Sequence, residues 1–258
     1  MNKYSLQLNA ALDAAKKASA TLLKYYESGD LGKVSKKGRI EQVSDADLVV
    51  EALIKETLEK QFPDYGFFGE EFGGSEAKSD YKWYVDPLCG SDHFIHGLTN
   101  FGFSIALTHK DELILGVCGL PMTNELFWAE KGKGAFMNDE PISVSKVSNL
   151  EDAMLSTHIS VKFENIMPAV NIISKIGKYE LVISGPFPYS SCNLARGRID
   201  GHVEINVRPV HRLAGTMIVV EAGGKWTRPD GKPATIFDNE IILSNKLLHD
   251  DIVKVVNS

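Results

Sequence analysis

The sequence predicts a mixed α/β (α+β) protein in which helices and sheets form alternating layers. Three observations support this prediction. Apolar residues recur at helical spacing near the N-terminus, short β-rich runs fill the middle of the chain, and helical and extended patterns alternate after about Val147. With 258 residues, 43% of them hydrophobic, the chain is long enough to bury a substantial core.

Two amphipathic helices are predicted in the N-terminal part of the chain. Over residues 6–26 the apolar side chains recur at mostly three- and four-residue spacings, and Gly29 follows. The second helix is expected to begin after Ser44, whose hydroxyl is suited to cap it while Asp47 completes a capping box, and to stop before Pro63.

The middle of the chain is typical of an antiparallel sheet, since short β-rich runs are separated by Gly, Pro, Asn and Asp. These runs cover residues 83–85, 101–108, 113–118 and 126–128. Later segments are predicted as helix near 165–176, strand near 181–183, helix near 190–197, strand near 202–205 and helix near 211–222. Without a repeat or linker, we expect a single domain over residues 1–258, with subdomains of about 1–145 and 146–258.

Composition excludes several classes of function. The formal net charge of -6 and the isoelectric point near 5.7 leave no broad basic surface, so neither nucleic acid nor an anionic membrane is expected as a partner. Cys89, Cys118 and Cys192 are too few and too scattered for a disulfide framework, which favours a reducing compartment such as the cytoplasm. We expect a soluble protein, because no uncharged apolar run approaches the roughly 20 residues that span a bilayer and the N-terminus lacks a signal-peptide pattern.

The first motif with chemical meaning combines acidic residues from two places. Glu70 and Glu71 form an acidic pair in a glycine-containing turn, and Asp86 ends an apolar run. Carboxylates in such positions can hold a hard divalent cation through oxygen. Taken alone, the same residues are equally consistent with a solvated turn and a strand-end cap.

The wider pattern around these residues is more specific. After Gly-Glu-Glu at 69–71 the chain reads Asp-Pro-Leu-Cys-Gly-Ser at 86–91, Asn-Phe at 100–101 and Ser-Ile-Ala-Leu at 104–107. A long match follows at 125–136, and Glu-Ala-Gly-Gly stands at 221–224. In this order, over roughly residues 4–245, the chain resembles the inositol monophosphatase family.

The resemblance implies a layered αβαβα sandwich of the inositol monophosphatase and fructose-1,6-bisphosphatase type. It also implies a magnesium-dependent phosphomonoesterase that acts on a small phosphorylated substrate and often forms a homodimer. In such enzymes one Mg²⁺, held by the residues matching Glu70, Asp86 and the Leu88 carbonyl, activates the attacking water. All three positions are intact here.

Three further residues match the family's reaction machinery. Ser91, paired with Asp47, would orient the water, and the backbone N–H groups of Gly90 and Ser91 would receive the phosphate. Asp47 has a rival role as the helix cap described above.

The family's second metal is held by the aspartate matching Asp86 and by two further aspartates, which align with Cys89 and His211. A thiol and an imidazole disfavour Mg²⁺ at this position. Three interpretations stay open: Cys89 and His211 fill space in a decayed site, they bind Zn²⁺ or another softer ion together with Asp86, or His211 as imidazolium stands where the metal stood.

The substrate side also departs from the family. A Gly-Ser/Thr-Ala-Ala segment that presents backbone donors to substrate hydroxyls is here Gly185-Pro-Phe-Pro, and Pro186 and Pro188 carry no N–H. Glu204 matches a carboxylate that commonly contacts substrate, and an exposed strand-end glutamate is the alternative.

Two functions follow as hypotheses. The first is a phosphatase for a small polyol, sugar or nucleotide phosphate with an altered second-metal site. The second is a catalytically inactive relative that acts as a binding or regulatory protein.

Overall fold

The computed structural model describes residues 5–37, 41–75, 77–158, 166–183 and 185–258. Within these ranges the chain forms seven α-helices and fifteen β-strands. The helices are α1 (Leu6–Ser28), α2 (Asp45–Glu59), α3 (Ser91–Ile95), α4 (Ile166–Ile176), α5 (Phe187–Ala195), α6 (Pro209–Glu221) and α7 (His249–Asn257). The strands are β1 (Val34–Lys37), β2 (Glu41–Ser44), β3 (Gly66–Gly69), β4 (Gly73–Ser75), β5 (Tyr81–Cys89), β6 (Gly102–His109), β7 (Glu112–Leu120), β8 (Glu125–Glu130), β9 (Ala135–Met137), β10 (Glu140–Ile142), β11 (Met154–His158), β12 (Glu180–Ile183), β13 (Gly201–Glu204), β14 (Lys225–Thr227) and β15 (Ile241–Ser244).

The described strands form two large sheets and a hairpin. The eight-stranded sheet has the order β10-β9-β8-β7-β6-β5-β3-β4, the five-stranded sheet has the order β12-β11-β13-β15-β14, and β1 pairs with β2. β5 to β10 pair with their sequence neighbours in antiparallel register, which confirms the predicted antiparallel sheet. β3 is the exception, since it pairs in parallel with β5. On its other side it pairs antiparallel with β4, which is the edge strand.

The helices and the two large sheets form five layers, which pack together through three clusters of buried side chains. α1 and α2 pack on one face of the eight-stranded sheet through residues such as Leu8 and Ile54. α5 and α6 lie between the two large sheets, where Leu213 and Leu243 share a cluster. α4 and α7 close the far side of the five-stranded sheet around Ile252. This order confirms the predicted αβαβα sandwich.

Most predicted elements are found close to their expected positions. The first helix ends before Gly29, whose φ of 67° is the left-handed conformation that favours glycine at a helix end. α2 follows Ser44 and has the expected capping box with Asp47. α5 begins at Phe187 rather than near residue 190, since a proline at 188 fits the first helical turn, where its missing N–H is not needed. The predicted helix start at Asn165 lies outside the described residues.

The pattern analysis misses one helix, α7, and nine strands: β1, β2, β3, β4, β9, β10, β11, β14 and β15. The nine strands have between three and five residues, which is too short to show a period of two. β11 lies between β12 and β13 and forms through pairing with these two strands, which are remote from it in the sequence.

Helix α6 is seated on the eight-stranded sheet by two close contacts near its N-terminus. Ser104 Oγ on β6 donates a hydrogen bond of 2.9 Å to the carbonyl of Val210. Gly116 on β7 lies so near the helix that a Cβ there would be 2.4 Å from the carbonyl oxygen of Ala214. These contacts hold the N-terminal part of α6 against β6 and β7, in the sheet that also contains β5.

Among the described helices, none combines the length and the apolar character needed to cross a bilayer. The eight-stranded sheet ends with β10 at Ile142, and the five-stranded sheet draws its strands from Met154 onward. The single domain with subdomains divided near residue 145, and the homodimer, stay predictions.

We expect Gly116→Ala to lower the free energy of unfolding by about 1–3 kcal/mol, because the new methyl group would press on the backbone of Ala214. Chemical denaturation measures this. Gly74→Ala on the edge strand β4 is the control, since a Cβ there meets the ring of Phe68 at 3.1 Å, and that partly exposed ring can move aside. Equal effects of the two substitutions would show that α6 does not rest on β7.

Candidate metal and phosphate site

Segments far apart in the sequence meet at the carboxyl end of β5. Because β3 and β5 are parallel, their ends lie at one edge, and the N–H of Glu70 donates to the Val85 carbonyl at 3.1 Å. The first turns of α2 and α6 approach the same edge. The structure therefore brings together these residues from the sequence prediction: Asp47, Glu70, Asp86, Leu88, Cys89, Gly90, Ser91 and His211.

Asp86 and His211 form the innermost contact of the site. Asp86 is fully buried, and its Oδ2 lies 2.7 Å from His211 Nδ1. Burial raises the pKa of Asp86, but the hydrogen bond and charge of His211 outweigh burial and leave this pKa below its usual value. Burial lowers the pKa of His211, whereas the hydrogen bond and charge of Asp86 raise it, and the net pKa is raised. The pair therefore favours an ionised carboxylate beside an N–H donor.

Cys89 completes a group of three residues that could hold a metal ion. Its Sγ lies 4.0 Å from His211 Nδ1, and the ligand atoms of Asp86, Cys89 and His211 all lie within 4.8 Å of one another. Burial and the negative charge of Asp86 raise the pKa of the Cys89 thiol well above its usual value. Without a bound cation, Cys89 is therefore a neutral thiol.

Arg208, which the sequence analysis did not single out, joins Glu70 to His211. Its Nη2 donates to Glu70 Oε1, and its Nε donates to His211 Nε2 at 3.1 Å. This contact requires an unprotonated Nε2, so it describes a neutral imidazole whose proton is on Nδ1, facing Asp86. The positive charge of Arg208 lowers the pKa of His211, although the net pKa is raised, so removal of Arg208 would favour the imidazolium further. The only sequence signal was the spacing of three residues between Arg208 and His211, which places both on one helix face.

Asp47 makes the hydrogen bonds that each of its two predicted roles requires. Its Oδ2 accepts hydrogen bonds from the Ser44 N–H at 2.8 Å and the Ser44 hydroxyl at 2.6 Å, which caps α2. Its Oδ1 faces Ser91 Oγ at 2.6 Å. Ser91 Oγ is also 2.9 Å from the Leu88 carbonyl, so this hydroxyl lies between Asp47 and a predicted metal ligand.

The predicted substrate wall, residues 185–188, touches the predicted phosphate loop, Gly90 and Ser91. Gly90 has φ 94° and precedes α3, and a Cβ there would lie 2.4 Å from Pro186 Cγ. Gly185 is equally restricted, since a Cβ there would lie 2.6 Å from the side-chain nitrogen of Asn100. Only glycine fits either position without displacing a neighbour, and Pro186 replaces an N–H donor beside the loop.

Glu204 is the last residue of β13. It is 1% exposed, so the alternative of an exposed strand-end glutamate is wrong. Its Oε1 lies 3.2 Å from His158 Nδ1 and its Oε2 lies 2.8 Å from His202 Nε2. Burial raises the pKa of Glu204, but hydrogen bonds and charge from the two histidines outweigh it and lower the pKa. The sequence analysis missed both histidines, although the spacing of His202 and Glu204 places them on one face of a strand.

Comparison with known proteins identifies the family to which this fold and site belong. The model of the inositol monophosphatase family matches residues 4–258. The chain belongs to the inositol monophosphatase family. This result confirms the resemblance that the sequence motifs indicated.

Three relatives from the inositol monophosphatase comparisons show how complete the similarity is. A fructose-1,6-bisphosphatase/inositol-1-monophosphatase of Thermotoga maritima is 37% identical over 232 residues, which cover 89% of this chain and 88% of that protein. A putative Nus factor SuhB of Neisseria meningitidis is 30% identical over 259 residues, covering 97% and 98%. The crystal structure of the extragenic suppressor protein suhB from Bartonella henselae matches with a TM-score of 0.93 and 31% identity, covering 98% of this chain and 99% of that one.

The inositol monophosphatase family is metal-dependent, typically with Mg²⁺, and acts on small phosphorylated substrates. The oxygens of Glu70, Asp86 and Leu88 are chemically suited to such an ion. The mixed oxygen, sulfur and nitrogen group of Asp86, Cys89 and His211 is suited to Zn²⁺ instead. Which residues hold which ion stays a prediction.

We expect Ser91→Ala to lower the free energy of unfolding by about 1–3 kcal/mol, because it leaves Asp47 Oδ1 buried without its 2.6 Å partner. Denaturant titration measures the loss, and in an Asp47→Ala background the same substitution should cost much less. Ser174→Ala is the matched control, since that exposed hydroxyl bonds a backbone carbonyl at 2.8 Å. A full loss that persists without Asp47 would contradict the pairing.

Proposed function

We propose that this chain is a phosphomonoesterase that hydrolyses a small phosphorylated polyol, sugar or nucleotide by metal-activated water. The observation that carries the proposal is the bond of 2.6 Å between Ser91 Oγ and Asp47, formed next to the Leu88 carbonyl. The capping box of α2 is formed by Ser44 and Asp47, so the helix cap does not require the contact with Ser91. Membership in the inositol monophosphatase family supports the proposal independently.

We assign one Mg²⁺ to Glu70, Asp86 and the Leu88 carbonyl. These residues fit the ion, because two carboxylates and a carbonyl supply the hard oxygen donors that it prefers. When bound, the cation acidifies water and polarises the phosphoryl group. The proposed site has fewer carboxylates than the family pattern, so we infer a weaker affinity than an intact relative has.

Ser91 and Asp47 orient the attacking water. Burial raises the pKa of Asp47, and the hydrogen bonds from Ser44 and Ser91 offset only part of this increase. Its carboxylate is therefore a stronger base than an exposed aspartate, and it draws the Ser91 hydroxyl proton toward itself. The Ser91 oxygen is then an acceptor for a water proton, while the backbone N–H groups of Gly90 and Ser91 bind the phosphoryl oxygens.

His211 takes the place of the second metal in this proposal. A tetrahedral zinc ion with bonds of about 2.0–2.1 Å would hold its oxygen and nitrogen ligands about 3.3 Å apart. Asp86 Oδ2 and His211 Nδ1 are instead 2.7 Å apart, which is hydrogen-bond geometry. The Nδ1–H of His211 therefore satisfies the Asp86 oxygen that a second cation would bind, and Zn²⁺ with Cys89 is the competing assignment.

The substrate wall argues for a ligand other than inositol monophosphate. Pro186 and Pro188 are both buried at the start of α5, and neither has an N–H for a substrate hydroxyl. Glu204 is too deeply buried to meet a substrate unless His158 moves, so we assign its substrate contact to a rearranged state. The wall therefore selects a ligand that needs fewer backbone donors.

A binding or regulatory function is the second candidate. Two observations favour it: Cys89 and His211 remove two metal-ligand carboxylates, and a relative with 30% identity is named a putative Nus factor. In this case the fold would serve as a protein-binding surface, with the homodimer as its functional unit. All three cysteines are unpaired, which fits the reducing cytoplasm in which we place either function.

A panel of phosphate esters tests the proposed function. With Mg²⁺ or Mn²⁺ we expect release of inorganic phosphate from at least one small polyol, sugar or nucleotide ester, and slow turnover of inositol monophosphate. Each substrate hydroxyl left without a partner costs about 1–3 kcal/mol. Ser91→Ala is the matched inactive variant. No release from any ester, with or without metal, would support the regulatory function instead.

Replacing both altered ligands tests the metal assignment. We expect Cys89→Asp with His211→Asp to create a second Mg²⁺ site, because Asp86 is already in place, and each single substitution to do much less. Calorimetric titration counts the ions, and Cys89→Ser with His211→Asn is the control without new charge.

The effect on hydrolysis separates the interpretations of Cys89 and His211. A gain of magnesium-dependent hydrolysis in the double aspartate variant indicates a decayed site. Loss of the native activity indicates that His211 or a softer metal already serves catalysis. Independent effects of the two substitutions on metal affinity would contradict a shared site.

A further inference from the structure

The Arg208 side chain contacts Glu70, a carboxylate that the proposed metal site would use. Its guanidinium donates to Glu70 Oε1, and its Nε donates to His211 Nε2, whose ring in turn bonds Asp86. A guanidinium and an imidazole N–H thus contact the two carboxylates assigned to the cation. Because arginine stays protonated at any physiological pH, the positive charge of Arg208 does not depend on pH.

The position of Arg208 has no explanation in the stability of its own helix. Arg208 is the residue before α6, its side chain makes no capping bond, and the first turn contains no acidic residue. A positive charge at a helix N-terminus is disfavoured by the helix dipole, which attracts anions there. The contacts to Glu70 and His211 are therefore the reason for the direction that this side chain takes.

The contact is also easy to break. The Arg208 side chain is 53% exposed, whereas that of Glu70 is 17% exposed. Ion pairs with one solvated partner contribute little to stability, so another cation can replace Arg208 at a small free-energy cost. Among the described residues none accepts a hydrogen bond from its Nη1, which leaves donors for a further anion.

We propose that Arg208 competes with the divalent cation for Glu70 and, once displaced, binds an anionic oxygen of the phosphoryl group. This inference rests on the proposed metal site but does not require turnover. A planar guanidinium matches two oxygens of a phosphate, which a point charge does not, so the displaced side chain is a suitable ligand at the same mouth.

The first experiment measures metal affinity in chelator-stripped protein. Arg208→Gln should bind Mn²⁺ and Mg²⁺ about three- to tenfold more tightly than the parent protein in calorimetric titration, because Glu70 loses its competing cation. Arg208→Lys keeps the charge and should fall between the two. Arg228→Gln, at an exposed arginine that pairs with Asp230, is the matched control and should leave the affinity unchanged. Equal metal affinity of Arg208→Gln and the parent, including equally undetectable binding, overturns the competition.

The second experiment measures inorganic phosphate binding at saturating Mn²⁺. Arg208→Gln should bind phosphate about tenfold more weakly than the parent, and Arg208→Lys should restore only part of this loss. Unchanged phosphate affinity in Arg208→Gln overturns the phosphoryl contact. Circular dichroism and melting temperature verify that all variants are folded.

These binding measurements are independent of catalysis. If they succeed while the ester panel shows no hydrolysis, the proposed function fails and the role of Arg208 stands.

Discussion

The hydrogen bond between Asp86 and His211 is the contact on which the site depends. Asp86 is fully buried, and an ionised carboxylate in that position is unfavourable by several kcal/mol unless it is partnered. The family pattern places a metal ion against this oxygen, and here an imidazole N–H at 2.7 Å does so. Since Asp86 belongs to β5 and His211 to α6, the bond also joins the sheet to the central helix layer. Cys89 on β5 and Arg208 before α6 belong to the same two elements, whereas Asp47 and Ser91 reach the mouth from α2 and α3.

Helix α6 can act as this platform because it is held at several points. Ser104 bonds the carbonyl of Val210, and Gly116 admits the backbone of Ala214. Arg212, next to His211, is fully buried, and its Nη2 donates to the Ile236 carbonyl at 2.7 Å. Burial lowers the pKa of Arg212 to about 10, because the charged guanidinium is removed from water. The first turn of α6 therefore has little freedom, and the direction of Arg208 follows from it.

The sequence predicted the parts of the site that are contiguous or carry a motif. Asp86 to Ser91 lie in one run, and Asp47 could be found because a capping box has a fixed spacing. Sequence reasoning could not find Arg208, because its partner Glu70 is 138 residues away and the bridge exists only once α6 is seated on the sheet. His158 escaped for the same reason, since its contact with Glu204 forms across the parallel pairing of β11 and β13. Local patterns specify elements and motifs, whereas contacts between remote side chains require the fold.

The charges of the side chains at this mouth are balanced by one bound divalent ion. Among the described residues that meet at this mouth, three carboxylates, Asp47, Glu70 and Asp86, face one guanidinium from Arg208, while Cys89 stays a thiol. With a neutral imidazole, two negative charges remain, and a single Mg²⁺ compensates both. Aspartates at positions 89 and 211 would add two more negative charges and so accommodate a second ion. Cysteine and histidine at positions 89 and 211 reduce the negative charge that holds cations, and so does the arginine at position 208. All three residues therefore favour a site in which protein groups replace one of the two metal ions.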